Sequence, residues 1–254
     1  MKWRCVMASI LEIKNLSHSY HNLEGETLAL LNLSFTMQKG EFISIVGPSG
    51  CGKSTLLSLI SGLMEPEEGT IELHGKRMGY MLQKDHLLEW RNIYKNIVLG
   101  LEIQHLLTSE TKSKVQEYLE QYGLADFANA KPSELSGGMR QRAALIRTLI
   151  MEPDLLLLDE PFSALDYQTR LTVADDIGQI IRKEHRSAIL VTHDLSEAIS
   201  LGDRVIVLSK RPATIKSIVP LTFSLEEDTP LKRRNAPEFK GYFNTVWKEL
   251  NEDA

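Results

Sequence analysis

The sequence has few cysteines, no long apolar run and no signal-like start. Cys5 and Cys51 are its two cysteines, too few for a disulfide framework or a metal motif, so we expect a reducing compartment. No apolar run approaches the ~18 residues that a membrane span needs. The start, MKWRCVMASI, has a basic flank but no apolar core, so we expect no signal peptide; Met1 and Met7 are both candidate starts.

The sequence also lacks an excess of basic residues. Its 29 Lys and Arg and 34 Asp and Glu give a formal net charge of −5, which leaves no surplus of positive charge to cover nucleic-acid phosphates. We therefore expect no nucleic-acid partner. A length of 254 residues suffices for one large domain or one domain with an insert, and any role at a membrane would be peripheral.

Short apolar runs predict two groups of strands on either side of a helical insert. The predicted strands are 10–16, 28–37, 42–46, 70–73, 78–82, 155–158, 188–192 and 205–209. The segment of about 84–150 is instead predicted to be mostly helical. It contains an amphipathic helix that is predicted to end at Gly123. Strands that alternate with helices favour a parallel sheet covered on both faces. Residues 223–254 form a polar tail with one helix near 239–250.

The stretch 47-GPSGCGKS-54 lies between a predicted strand and a predicted helix. Its glycines let the backbone curl so that N–H groups point at phosphate oxygens, Lys53 reaches the β- and γ-phosphates, and the Ser54 hydroxyl is a Mg²⁺ ligand. The helix that follows is apolar on nearly every side and should lie deep in the core. Its apolar residues are Leu56, Leu57, Leu59, Ile60 and Leu63.

Two carboxylates directly follow four leucines in 155-LLLLDEP-161. The leucines predict a strand buried on both faces, and ligands bind at the carboxyl ends of strands in open α/β sheets. Asp159 fits a Mg²⁺ partner that acts through water. Glu160 fits a base that orients or deprotonates an attacking water.

Further residues carry weaker signals. His193 ends a predicted strand and is able to hydrogen-bond a γ-phosphate, Gln83 is able to ligate Mg²⁺, and Tyr20 is able to stack on a base. By pattern alone, each is better explained as an ordinary surface or packing residue. Ser136 in 135-LSGGMRQR-142 starts a helix whose free N–H groups make a second anion site.

In order and spacing, these motifs together with 163-SALD-166 resemble the ATPase subunits of ABC transporters over about residues 10–222. The resemblance implies an α/β P-loop NTPase fold of the ABC ATPase type, with a mostly parallel core sheet, an antiparallel β subdomain and a helical insert. It divides the chain into a nucleotide-binding domain, 1–222, and a short tail, 223–254. Within the domain, the core and β subdomain take about 10–83 and 151–222, and the insert about 84–150.

The resemblance also implies ATP and Mg²⁺ as cofactors. Tyr20 matches the family's adenine-stacking aromatic, and the phosphate loop would bind ATP through nine residues. These are Gly47, Pro48, Ser49, Gly50, Cys51, Gly52, Lys53, Ser54 and Thr55. Mg²⁺ would be held by Ser54, Gln83 and, through water, Asp159. The catalytic residues implied are Lys53, the Q-loop glutamine Gln83, Glu160 and the switch histidine His193.

A second copy of the chain completes the implied site. In this family two subunits face each other head to tail, and the signature helix of one copy covers the γ-phosphate held by the other. Ser136, Gly137 and Gly138, with the D-loop residue Asp166, would make these contacts across the homodimer. Two anion sites in one chain then serve two shared nucleotides.

The segment 84–103 resembles that of importers for nitrate, sulfonates and taurine. It carries Leu88, then Glu89 where the group usually has proline, then Trp90. The resemblance implies that 84–103 docks a membrane permease at the cytoplasmic face, with a solute-binding protein as an indirect partner. The solute imported by such a transporter would be a small organic molecule, an oxyanion or a pyrimidine vitamin precursor. Trp90 and the pair 87–88 are equally well explained as core of the insert.

Two alternatives belong to other classes. A non-transport ABC ATPase acting on a soluble cytosolic partner would share every nucleotide-binding motif. A P-loop kinase for a small molecule would leave LSGG and SALD without a role, and it would produce a phosphorylated acceptor. The short insert, which has no coiled-coil heptads, favours the importer.

Overall fold

The computed structural model describes residues 9–22, 25–75, 77–163 and 165–252. Cys5, Met1 and Met7 lie outside them. The strands are β1 (Ser9–Asn22), β2 (Gly25–Gln38), β3 (Phe42–Val46), β4 (Glu68–Leu73), β5 (Met78–Met81), β6 (Leu155–Asp159), β7 (Ser187–Val191), β8 (Arg204–Leu208) and β9 (Ile215–Pro220). The α-helices are α1 (Lys53–Ile60), α2 (Ile93–Ile97), α3 (Leu99–Ile103), α4 (Ser109–Gln121), α5 (Gly137–Leu149), α6 (Tyr167–Lys183), α7 (Leu195–Leu201), α8 (Pro230–Arg234) and α9 (Pro237–Asn251).

Six strands form the core sheet in the order β5-β6-β7-β3-β8-β9. All neighbouring pairs are parallel except β8 and β9, which form an antiparallel pair at one edge. Every residue of β3, β6 and β7 is buried, because central strands of a parallel sheet are covered by helices on both faces. The predicted α/β fold with a mostly parallel sheet is therefore confirmed.

A second sheet of three antiparallel strands has the order β2-β1-β4. Its apolar side chains share one core with the α1 face of the large sheet; Leu11 and Leu33 pack in the same cluster as Ile45, Leu56 and Leu157. This sheet is the predicted antiparallel β element, and its shared core fixes it beside the phosphate loop.

The part of the chain from 84 to 150, every residue of which is described, contains helices joined by loops and no strand. Helix α4 begins at a capping box between Thr108 and Thr111. It ends just before Gly123, which has a φ of +65°, as was predicted from the position of this glycine. Its buried Val115 and Leu119 pack into the cluster that also holds Ile146 of α5.

The prediction that Leu63 lies in the core is wrong. Helix α1 ends at Ile60, and Gly62 at a φ of +74° turns the chain outward, so that Leu63 is 68 % exposed. The apolar pattern continued past the helix end, but the glycine stops the helix one turn earlier.

The tail folds back on the core sheet as α8 and α9. Val246 of α9 is fully buried and packs with Ile199 of α7 and Val207 of β8. Arg233 of α8 is 4 % exposed, donates to Asp228 Oδ2 at 2.6 Å and hydrogen-bonds the Gly202 carbonyl. None of the helices in the described ranges combines the length and the apolarity of a membrane span.

Candidate nucleotide site

The strand order brings most of the predicted site residues to one edge of the core sheet. The neighbouring strands β5, β6, β7 and β3 are parallel, so their carboxyl ends lie side by side. Gln83, Glu160, His193 and the phosphate loop 47–54 each follow one of these four ends. Residues up to 146 positions apart in the sequence thus face one cavity, as is typical of α/β sheets.

The cavity at this edge has a volume of about 740 Å³. Its lining residues are Tyr20, Ala29, Ser49, Gly50, Gly52, Lys53, Ser54, Thr55, Gln83, Glu160, His193 and Arg211. Ten of these were predicted as loop, adenine, metal or catalytic residues; Ala29 and Arg211 were not. Cys51 and Asp159, also predicted, are buried rather than on the lining, and burial raises the pKa of the Cys51 thiol.

Lys53 lies inside the phosphate loop. Its side chain is 8 % exposed, and Nζ donates to the Gly47 carbonyl at 2.8 Å and to the Pro48 carbonyl at 2.9 Å. Gly52 precedes α1 with a φ of +121°, a conformation that glycine adopts without steric cost. The loop is therefore curled around a buried cation at the start of a helix, an arrangement that favours an anion.

Glu160 lies between Gln83 and His193, two of the three residues whose signals were weak by pattern alone. Gln83 Nε2 donates to Glu160 Oε2 at 2.9 Å, and His193 Nδ1 lies 3.5 Å from Glu160 Oε1. The Glu160 backbone takes a φ of +46° and its N–H donates to the Val191 carbonyl at 2.9 Å. A left-handed conformation at a non-glycine residue is uncommon, and here it turns the carboxylate towards the cavity edge.

Asp159 and Ser54 offer the oxygen donors that Mg²⁺ prefers. Asp159 is 4 % exposed; burial raises the pKa of its carboxyl, and the hydrogen bond from Ser54 and the charge of Lys53 act against that rise. A buried carboxylate is stabilised in its charged form by a nearby cation. Hydroxyl, carboxylate and amide oxygens are all hard ligands, so Ser54, Asp159 and Gln83 fit Mg²⁺.

Tyr20 stands at the rim of the cavity with 44 % of its surface exposed. Its hydroxyl forms a 2.9 Å hydrogen bond with Thr55 Oγ1, and His18 packs edge-on against the ring at 5.3 Å between centroids. The ring is thus held beside the loop with room for a planar base.

The signature residues and the D-loop residue do not line this cavity. Ser136 caps α5 and accepts from Met139 N at 3.3 Å, while Asp166 caps α6 and accepts from Thr169 N at 3.0 Å. The two caps are exposed neighbours, since a Cβ added at Gly138 would come within 2.9 Å of Leu165. Within one chain, the phosphate loop and the start of the signature helix therefore do not share a cavity.

The segment 84–103 exposes an aromatic side chain while burying its neighbours. Trp90 is 76 % exposed and Ile103 is 69 % exposed, whereas Leu87 is 8 % exposed. Of the two explanations of Trp90, burial in the core of the insert is wrong. An exposed tryptophan in a segment that is otherwise folded marks a candidate contact surface.

Asn96 holds this segment in shape. Its buried side-chain oxygen accepts from Leu88 N at 2.7 Å, and its amide nitrogen donates to the carbonyls of Leu88, Arg91 and Asn92 at 3.0–3.2 Å. One side chain thereby satisfies the backbone on both sides of Trp90.

Replacing Asn96 with Ala is expected to lower the free energy of unfolding by about 3 kcal/mol, because backbone groups around Leu88 lose their partner. Urea unfolding followed by circular dichroism measures this change. The matched control is Asn235→Ala, which removes one exposed hydrogen bond to the Leu231 carbonyl and should cost less than about 1 kcal/mol. Equal losses in the two variants would contradict the assigned role.

Comparison with known proteins identifies the family. The family model described as "ABC transporter" matches residues 30–163, from within β2 to the start of the D-loop. The chain belongs to the ABC transporter family. The predicted resemblance to its ATPase subunits is confirmed.

Two relatives match this ABC ATPase over nearly its whole length. An uncharacterized ABC transporter ATP-binding protein of Bacillus subtilis, YtlC, is 45 % identical over 250 residues, or 96 % of each chain. The nitrate import ATP-binding protein NrtD of Synechocystis is 38 % identical over 247 residues, or 93 % of each chain. The second carries a name from the importer group that segment 84–103 resembles.

A solved structure supports both the fold and the activity. A dimeric ATP-binding cassette in a post-hydrolysis state, bound to ADP and Pi, superposes with a TM-score of 0.76 at 29 % identity, covering 84 % of this chain and 99 % of that one. This ABC ATPase therefore has the P-loop NTPase fold predicted from its motifs, binds ATP and hydrolyses it.

Two arginines at the site escaped the sequence analysis. Arg211 lines the cavity, and Arg170 joins the D-loop to the residues after His193: it donates to the Leu165 carbonyl at 3.1 Å and contacts Asp194 at 3.5 Å. In the sequence, nothing distinguishes Arg170 from other arginines in predicted helices. Arg211 follows the carboxyl end of β8, beside β3 in the sheet, and that position was the available signal.

Proposed function

We propose that this ABC ATPase powers a membrane importer of a small organic or oxyanion solute, as a peripheral subunit on the cytoplasmic face. The exposed Trp90 in the folded segment 84–103 carries this proposal, because it gives the ATPase a surface for a permease. The name of the nitrate import relative supports an oxyanion, and taurine-like solutes or a pyrimidine vitamin precursor belong to the same proposal. Solute choice falls to the permease and a solute-binding protein.

ATP binds with its adenine on Tyr20 and its phosphates in the loop 47–55. Lys53 exchanges its loop carbonyls for the β- and γ-phosphates. Ser54, Gln83 and, through water, Asp159 would hold Mg²⁺, which would neutralise phosphate charge. Glu160 orients the attacking water, and His193 hydrogen-bonds the γ-phosphate. Positioning and charge account for most of the catalysis in such transfers.

A second copy supplies the other face of each nucleotide. The N–H groups at Ser136, Gly137 and Gly138 contact the γ-phosphate held by the partner's loop, and Asp166 contacts it from the D-loop. This arrangement gives the signature helix, exposed and separate from the cavity, a ligand of its own. The dimeric cassette of similar fold supports it. Closing and opening of the dimer then move the permease through segment 84–103.

Purification from membranes tests the transport proposal. A tagged chain recovered from detergent-solubilised membranes of the source cell is expected to carry a multi-span protein in roughly equal amount. Trp90→Ala should reduce that recovery at least about tenfold, because buried aromatic anchors dominate interfaces. ATP hydrolysis by the isolated variant should stay at the wild-type level.

Trp247→Ala is the matched control, since Trp247 on α9 is 57 % exposed outside the proposed surface and should leave recovery unchanged. A soluble partner in place of the multi-span protein would move the function to the non-transport class of ABC ATPases. Retention of the membrane protein by the Trp90 variant would remove segment 84–103 from the interface.

A further inference from the structure

Arg211 reaches the phosphate loop from the opposite end of the sequence. It lies in the turn between β8 and β9, and its guanidinium donates to the Gly50 carbonyl through Nη2 at 2.8 Å and through Nε at 3.3 Å. Arg211 also lines the nucleotide cavity. Nothing in the motif that surrounds Gly50 calls for a distant arginine.

The turn that carries Arg211 is itself anchored. Ser209 Oγ lies 3.0 Å from Thr214 Oγ1, and Ala213 makes two backbone hydrogen bonds of 2.9 Å to the segment 29–31 of β2. Ala29 in that segment lines the same cavity. The arginine is therefore presented by a supported turn rather than by a free chain end, which is the arrangement expected of a positioning residue.

The carbonyls of a phosphate loop also need hydrogen-bond donors. When the loop N–H groups point at phosphate oxygens, some of its carbonyls must point away and accept from side chains or from water. Lys53 donates to the Gly47 and Pro48 carbonyls, while Arg211 donates to the exposed Gly50 carbonyl. Gly50 has a φ of +70°, and a glycine is conformationally free enough that a hydrogen bond to its carbonyl restricts the peptide.

We propose that Arg211 is a positioning residue of the phosphate loop, which acts by holding the Gly50 peptide in one orientation through its carbonyl. This inference rests on the proposed assignment of 47–55 as the phosphate site. It predicts that the hydrogen bond, rather than the positive charge, is what nucleotide binding requires from Arg211.

Three substitutions separate the hydrogen bond from the charge. Arg211→Ala removes both. Arg211→Gln removes the charge but keeps a donor, because glutamine Nε2 occupies the place along the side chain of arginine Nε, which already lies 3.3 Å from the Gly50 oxygen. Arg211→Lys keeps the charge. Arg77→Ala is the matched control, since Arg77 is an exposed arginine that precedes β5 at the far edge of the sheet.

Equilibrium binding of MgATP and MgADP, with KM and kcat for hydrolysis, measures the effect. Arg211→Ala is expected to raise Kd and KM roughly tenfold and to change kcat less than about twofold, as the loss of one hydrogen bond worth about 1.4 kcal/mol predicts. The Kd and KM of Arg211→Gln should stay within about threefold of the wild-type values, and those of Arg77→Ala should equal the wild-type values. Circular dichroism of each variant confirms that it is folded.

Wild-type affinity in Arg211→Ala would overturn the inference. Affinity in Arg211→Gln as weak as in Arg211→Ala, with wild-type affinity in Arg211→Lys, would also overturn it, because the charge would then act on the phosphates directly. Lys53→Ala in the same assay tests the phosphate site separately from the role of Arg211. Unchanged affinity there would show that the Lys53 ammonium does not meet the phosphates, whereas lost affinity beside a normal Arg211→Ala would refute only the role of Arg211.

Discussion

Glu160→Gln is expected to bind MgATP like the wild type and to hydrolyse it at least about 100-fold more slowly, the effect of removing a general base. The substitution keeps the size of the side chain and its ability to accept a hydrogen bond from Gln83. What it removes is the negative charge that polarises an attacking water. The contacts at 2.9 Å to Gln83 and 3.5 Å to His193 hold that carboxylate in one orientation, so the loss should appear in kcat.

The same variant should accumulate as a dimer in MgATP. If ATP is bound between the phosphate loop of one copy and Ser136–Gly138 of the other, a variant that cannot hydrolyse ATP keeps the dimer together. Size-exclusion chromatography with light scattering should then report twice the mass of 28.7 kDa in ATP and the monomer mass without it. Glu117→Gln on the exposed side of α4 is the control for lost charge.

Two outcomes would contradict this account. Near wild-type turnover in Glu160→Gln would place the base elsewhere in the cavity, and His193 would be the next candidate. A monomer at saturating MgATP, in a variant that binds but does not hydrolyse, would contradict the shared nucleotide site.

Much of the sheet and of the site was predictable because the relevant signals are local. The buried runs at β3, β6 and β7 are continuous in the sequence, and Gly47, Gly52 and Lys53 lie within seven residues of one another. The rule that parallel strands place their carboxyl ends together then brings Glu160 and His193 to the loop.

What the sequence left open depends on partners that are distant along the chain. Arg211 is 161 residues from the Gly50 carbonyl that it contacts, and no periodicity connects the two. The sequence around Trp90 is the same whether that side chain is exposed or buried. The packing of Leu87 and the hydrogen bonds of Asn96 decide that Trp90 is exposed. Leu63 continued an apolar pattern beyond the glycine that ends its helix.

Lys53→Ala is expected to weaken MgATP binding roughly 100-fold, or about 2.7 kcal/mol. The ammonium is the buried cation of the loop, 8 % exposed, and its present partners are two neutral carbonyls at 2.8 and 2.9 Å. Phosphate oxygens are stronger acceptors than carbonyls because they are charged. The exchange of partners therefore favours the bound state, and alanine removes that gain.

Thermal unfolding with and without MgATP measures this loss independently of turnover. At 100 times the wild-type Kd, nucleotide should stabilise the wild type by about 2.7 kcal/mol and Lys53→Ala by only about 0.4 kcal/mol. Lys112→Ala, which removes an exposed lysine on α4, should retain the full stabilisation. An equal rise in Tm for wild type and Lys53→Ala would show that the cation does not meet the phosphates. A lower Tm without nucleotide would instead measure the two loop carbonyls that lose their donor, so the two contributions of Lys53 are separated in one experiment.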